Sequence, residues 1–262
     1  MSVNKNEVAV VQPKPRALSV SDYAHDVKFK ARIEETLGKR TPQFISSVIT
    51  LANSNKALGS CDPVKLFNCC LMAAALNLPF NQNLGQAFII AYKGEPQLQI
   101  GWKGFIQLAQ RSGQFRTINC SDVREGEIVN NDRLTGEIEF RWYADEAERM
   151  KKPIVGYVAF FELLNGFRKM LYMTRAELDA HAKRYSQTYQ KGYGVWKDNF
   201  DAMAQKTVIK LLLNKFAPLS VEMETAIEYD QANDEGEYVD GTGRVEIVDA
   251  EMGESEEDQN GK

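Results

Sequence analysis

Apolar positions along this chain follow one period at its two ends and another in the middle. Ser21 to Leu37 reads as a helix, closed by Gly38 at the position where a left-handed residue ends a helix. Thr41-Pro42 supplies an N-cap and a proline at the first helical position. Phe44, Ile45, Val48, Ile49 and Ala52 follow at helical spacing. Asp62-Pro63 repeats that start signal before VKLFNCCLMAAALNL, which is apolar nearly all round and predicts a central buried helix.

The period then shortens. Gln86–Tyr92 and Gln97–Ile100 flank Lys93-Gly94-Glu95-Pro96, a hairpin turn signal. A short helix, Trp102–Ser112, ends at Gly113. Residues 115–142 read as two strands around the polar turn Asn130–Gly136. Ile154–Leu163 and Phe167–Met173 are joined by Asn165-Gly166, the strongest short hairpin signal in the chain. Thr174 to Glu177 forms a capping box. Helical pattern continues through a Gly192/Gly194 break to Phe216, where Ala217-Pro218 stops it. The predicted class is α+β: helices at both ends packed on a central antiparallel β-hairpin region, with no internal repeat.

Charge divides the chain further. The net charge of −4 is uneven: residues 221–262 hold 15 acidic and two basic side chains, so the remainder is basic. We expect a disordered N-terminal arm over 1–18, a binding and oligomerising domain over 19–220, and a disordered acidic tail over 221–262. A basic body beside an acidic tail suits a polyanionic partner for which the tail competes. A solvated body with a solubilising tail is the alternative. The longest apolar run, Cys69–Leu76, is too short to span a bilayer, and residues 1–16 lack a signal-peptide pattern, so a soluble cytoplasmic protein is expected.

Signatures of chemistry are mostly absent. There is no GxxxxGK[ST] to grip nucleotide phosphates, no Glu-x-Lys of the usual nuclease pattern and no Gly-x-Ser-x-Gly elbow. The four cysteines form no CxxC, and neither histidine has a partner at metal-ligand spacing. No catalytic residue, cofactor or metal is expected. A metal-dependent nuclease whose carboxylates converge from distant segments remains an alternative.

Three stretches favour single-stranded nucleic acid. KRYSQTYQKGYGVWK interleaves Lys183, Arg184, Lys191 and Lys197 with Tyr185, Tyr189, Tyr193 and Trp196; bases stack on such rings while cations neutralise phosphates. Each ring taken singly also reads as a core contact at helical spacing. In AMAQKTVIKLLLNKFAP, Lys206, Lys210 and Asn214 form one polar stripe, read either as a phosphate track or as an ordinary solvated face. In IGWKGFIQLAQRSGQFR, Lys103, Gln107, Gln110 and Arg111 share one side of the short helix and Arg116 follows on the next strand. The resulting DNA-binding candidates are Lys103, Gln107, Arg111, Arg116, Lys183, Arg184, Tyr189, Lys191, Trp196, Lys197, Lys206 and Lys210.

Three blocks carry a resemblance. LNLPFNQNLGQAFIIAYKGEPQLQIGWKGFIQLAQRSGQF, the Gly156–Leu171 hairpin and DAMAQKTVIKLLLNKFAPLS resemble, in order and spacing, the RecT-type phage single-strand annealing proteins. The likeness spans residues 20 to 220. It implies an ATP-independent recombinase without bond-breaking chemistry. Such a protein coats single-stranded DNA as a homo-oligomer, ring or helical filament, and pairs it with a complementary strand through an annealed duplex intermediate. It also implies a partner exonuclease. The family's basic and polar motif positions fall on Lys103, Gln107, Arg111, Lys206 and Lys210. A passive single-strand coat protein is a further competing reading, after the metal-dependent nuclease.

Overall fold

The computed structural model describes residues 19–233, 237–239 and 245–247. The arm expected over 1–18 lies outside the described residues. The chain divides into two compact units, one running to Cys69 and including Ala91–Pro96, the other holding Cys70–Ile90 and the chain from Gln97 onward.

The first unit is helical. The single helix expected over Ser21–Leu37 is two: α1, Val20–Ala24, and α2, Val27–Leu37. The break is at Asp26, whose carboxylate accepts the Phe29 amide at 2.8 Å and starts a new helix. A 3-10 turn, Gly38–Arg40, runs directly into α3, Thr41–Ser54. Thr41 is therefore the first helical residue and not a cap, and its buried hydroxyl has no hydrogen-bond partner among the described residues. A short α4, Lys56–Gly59, is capped by Asn55. Asp62 starts α5, Pro63–Ala75, accepting the Lys65 amide at 3.1 Å. Its Leu66, Phe67, Cys70 and Ala73 are fully buried, whereas Val64, Lys65 and Asn68 are exposed, so α5 has one outer edge. Tyr23, Phe29, Phe44 and Phe67 form the unit's aromatic core, with Phe29 edge-on to Phe67 at 4.7 Å.

Strands β1, Ala87–Tyr92, and β2, Glu95–Ile100, pair across a two-residue turn, Lys93-Gly94, both at positive φ. Helix α6, Trp102–Arg111, follows as expected. Strand β3, Phe115–Arg124, departs from the expected local pairing. Its antiparallel partner is β6, Ile154–Leu163, with Cys120 opposite Ala159. The hairpin expected within 115–142 shrinks to β4, Ile128–Asp132, with β5, Glu137–Phe140. After α7, Glu146–Arg149, β6 also pairs with β7, Arg168–Thr174, giving a three-stranded sheet in the order β3-β6-β7. The Asn165-Gly166 turn is wider than a two-residue one: the Gly166 amide donates to Leu163 O, and the Leu163 amide donates to Phe167 O.

The Thr174–Glu177 capping box starts α8, Arg175–Tyr185, as predicted. Short helices α9, Gln187–Gln190, and α10, Val195–Asp198, lead to α11, Phe200–Phe216. Packed against the β3-β6-β7 sheet and α6, α11 buries Ala204, Val208, Ile209, Leu212 and Leu213. The tail expected to be disordered from residue 221 instead begins with helix α12, Val221–Asn233. Met223, Ala226, Ile227 and Asp230 recur at helical spacing and are all buried. This narrow inward face, hidden in an acidic composition, folds the segment. Beyond it β8, Glu237–Val239, pairs with β9, Val245–Ile247. All four cysteines are buried, and burial pushes the Cys120 thiol up to about 12.

Candidate nucleic-acid interface

Helix α6 is fixed by two close approaches. A Cβ at Gly101 would overlap Gly85 O, and one at Gly104 would overlap Gln86 O, so only glycine lets the helix press on that backbone. The inner face buries Phe105, Leu108 and Ala109. Lys103 is left exposed, its ammonium 5.6 Å from the Trp102 ring centre, and Gln107 is half-buried. Arg111 turns back. Its guanidinium donates to Leu76 O at 2.8 Å and Asn77 O at 3.4 Å, satisfying carbonyls just past the end of α5. Arg116 is exposed on β3 and paired with Glu162 of β6 at 2.9 Å.

The segment Lys183–Lys197 splits by direction. Lys183 reaches Asp179 at 2.7 Å one turn earlier, and the Tyr189 hydroxyl donates to the same carboxylate at 2.6 Å. Those two hydrogen bonds hold the Asp179 carboxyl below its ordinary value. Trp196 is 7 % exposed and lies among Phe200, His181 and Tyr189. The reading of Trp196 as an open stacking platform is therefore corrected, because Trp196 is core, whereas Tyr189 is half-buried with its hydroxyl tied to Asp179. Arg184 lies 5.2 Å from the Tyr185 ring. Lys191 and Lys197 are exposed, and so is Tyr193, an aromatic the candidate set omits.

The polar stripe on α11 is the largest correction. Lys206 is 6 % exposed, and its ammonium meets Asp230 Oδ1 at 2.7 Å. Lys210 meets Oδ2 of the same carboxylate at 3.0 Å. The Ile100 amide at the end of β2 donates to Oδ1 at 3.1 Å. Burial works to raise the Asp230 carboxyl, but the two ammonium charges outweigh it and hold the group below its ordinary value. A buried carboxylate with three donors is a fastening between α11, α12 and β2, so these lysines are not a solvent-facing phosphate track. The same reach of α12 touches α6: Glu222 is held low first by the backbone amide at the helix start, with Ser220 and the charge of Arg111 adding.

The twelve candidates thus fall into distinct settings. Lys103, Arg184, Lys191 and Lys197 are exposed; Arg116 and Lys183 are exposed but ion-paired; Arg111 is bonded to backbone; Gln107 and Tyr189 are half-buried; Trp196, Lys206 and Lys210 face inward. Asp230 had a sequence signal, the spacing it shares with Met223, Ala226 and Ile227, but its partners lie 20 or more residues away. No group of three or more His, Cys, Asp or Glu among the described residues is placed to hold a metal ion. No helix among them is long and apolar enough to cross a membrane.

Comparison with known proteins decides the lineage. Residues 42–242 match the model of the RecT family. The chain belongs to the RecT family. It is 43 % identical over 227 residues to an uncharacterized protein, YqaK, of Bacillus subtilis strain 168, covering 86 % of this chain and 77 % of that one. It is 27 % identical over 237 residues to protein RecT of Escherichia coli strain K12, covering 83 % of each. Membership in the RecT family assigns the chain to DNA recombination, single-strand binding and strand annealing.

Proposed function

We propose that this protein coats single-stranded DNA as a homo-oligomer and pairs it with a complementary strand, in the cytoplasm, without nucleotide hydrolysis or bond cleavage. The family match over 42–242 carries this reading. Annealing is downhill, and its specificity comes from base complementarity. The protein needs only sequence-tolerant contacts that screen phosphate repulsion and leave bases open. The exposed cations Lys103, Arg184, Lys191 and Lys197 fit that task, and Lys206, Lys210 and Arg111 support it by fixing the framework. An exonuclease that produces the single strand is the implied partner.

The test is an annealing assay with two labelled complementary oligonucleotides, without ATP and with magnesium present. Faster pairing than for naked strands, with both strands intact, supports the reading. Shortened strands would favour the nuclease alternative, and binding that slows pairing would leave a passive coat protein.

A further inference from the structure

The loop between α9 and α10 presents what the interior leaves out of the basic and aromatic segment. Its backbone is held on both sides. The Gly192 amide donates to Tyr189 O and the Tyr193 amide to Thr188 O, each at 3.0 Å. The Lys197 and Asp198 amides donate to Gly194 O at 2.9 and 3.0 Å. Gly194 has φ +94°, and a Cβ there would fall 2.6 Å from Thr188 Oγ1, so the turn demands glycine. Buried Trp196 anchors the loop from within.

On this frame Tyr193 is 55 % exposed, and Lys191 and Lys197, which precede and follow it in the chain, are exposed as well. Neither ammonium is paired with a carboxylate among the described residues, and Asp198 is the acid adjoining them in the chain. A ring held on a fixed backbone loses little freedom when it is covered. The same short segment carries two exposed cations, which matches a polyanion with exposed flat faces better than it matches a second protein surface.

We propose that Tyr193 stacks on a nucleobase of the bound single strand while Lys191 and Lys197 hold the flanking phosphates. The proposal rests on the single-strand annealing reading and adds a specific base contact to it. Because every base has a π face, such a contact leaves strand pairing free of sequence bias.

The experiment compares binding of the full chain to oligothymidine and to an abasic strand of equal length. Tyr193→Ala should weaken oligothymidine binding on the order of tenfold and leave abasic binding unchanged. Tyr193→Phe, which keeps the ring, should bind both strands like the parent. Lys191→Ala with Lys197→Ala should weaken both and flatten the slope of log K against log salt by about 0.7 per lost contact. Parental affinity of Tyr193→Ala for oligothymidine overturns the proposal. So does equal loss on both strands, or a change in DNA-free oligomer size, which assigns the ring to a protein contact. A parent that binds both strands but anneals nothing leaves the stacking contact standing and removes the annealing reading instead.

Discussion

On α11, Lys206 and Lys210 end on the two oxygens of Asp230, whereas Lys191 and Lys197, either side of the α9–α10 loop, end in solvent. Both pairs are four to six residues apart in sequence, and both lie among aromatic or apolar neighbours. What separates them is an acid contributed by another segment. Asp230 arrives 20 and 24 residues later, on a helix whose composition reads as tail. A cation's role therefore follows from what the fold sets opposite it, and the pattern on its own helix does not supply that.

The harshest way to break the comparison is to remove the acid. Asp230→Ala leaves two ammonium groups inside without a counter-charge and should cost about 3–5 kcal/mol in urea unfolding. Truncation after Ser220 should cost at least as much, because Met223, Ala226 and Ile227 leave with the carboxylate. Parental stability in both variants would mean that α12 is not fastened as described. The same truncation, viewed as removal of a competitor, would have been expected to tighten DNA binding; the structure predicts instead a weakened fold.

A pH series probes the same contact from the other side. The Asp230 carboxyl in the folded protein lies below its unfolded value, so its contribution is complete above about pH 4 and lost as pH falls through the folded value. Urea midpoints measured from pH 6 down to 3 should fall steeply at the acid end for the parent. Asp230→Asn should start lower and flatten that limb.

Helix α6 offers a finer contrast within a single element. Arg111→Ala removes the bonds to Leu76 O and Asn77 O and should cost about 1 kcal/mol of stability. Lys103→Ala, one side of the same helix but exposed, should stay within about 0.5 kcal/mol of the parent while flattening the salt dependence of DNA binding. A similarly small effect on stability is expected at Arg116→Ala. Its exposed pair with Glu162 should contribute under about 1 kcal/mol, checked by a double-mutant cycle with Glu162→Ala.

Local chemistry was legible in the sequence, and long-range partnership was not. The Thr174–Glu177 box, the Asp62 cap and the Lys93-Gly94 turn act over a few residues, and each forms where the residue types require. Asp26 acts equally locally but lay inside a helical pattern strong enough to hide it. The pairing of β3 with β6 joins residues 30 or more positions apart, and nothing in either strand names the other. Averaging charge over 42 residues of tail concealed a face only four residues wide. At the candidate interface the residue types were right for a polyanion, but the direction of each side chain was set by elements elsewhere in the chain.

The burial of every cysteine has a practical consequence. Thiol-directed reagents need an accessible thiolate, and the buried Cys61, Cys69, Cys70 and Cys120 offer little of one in the folded chain. A cysteine introduced at an exposed site such as Glu35 becomes the reactive handle without prior removal of the native four. In the unlabelled chain, the rate at which the native thiols become modifiable would serve as a clock for opening of the interior.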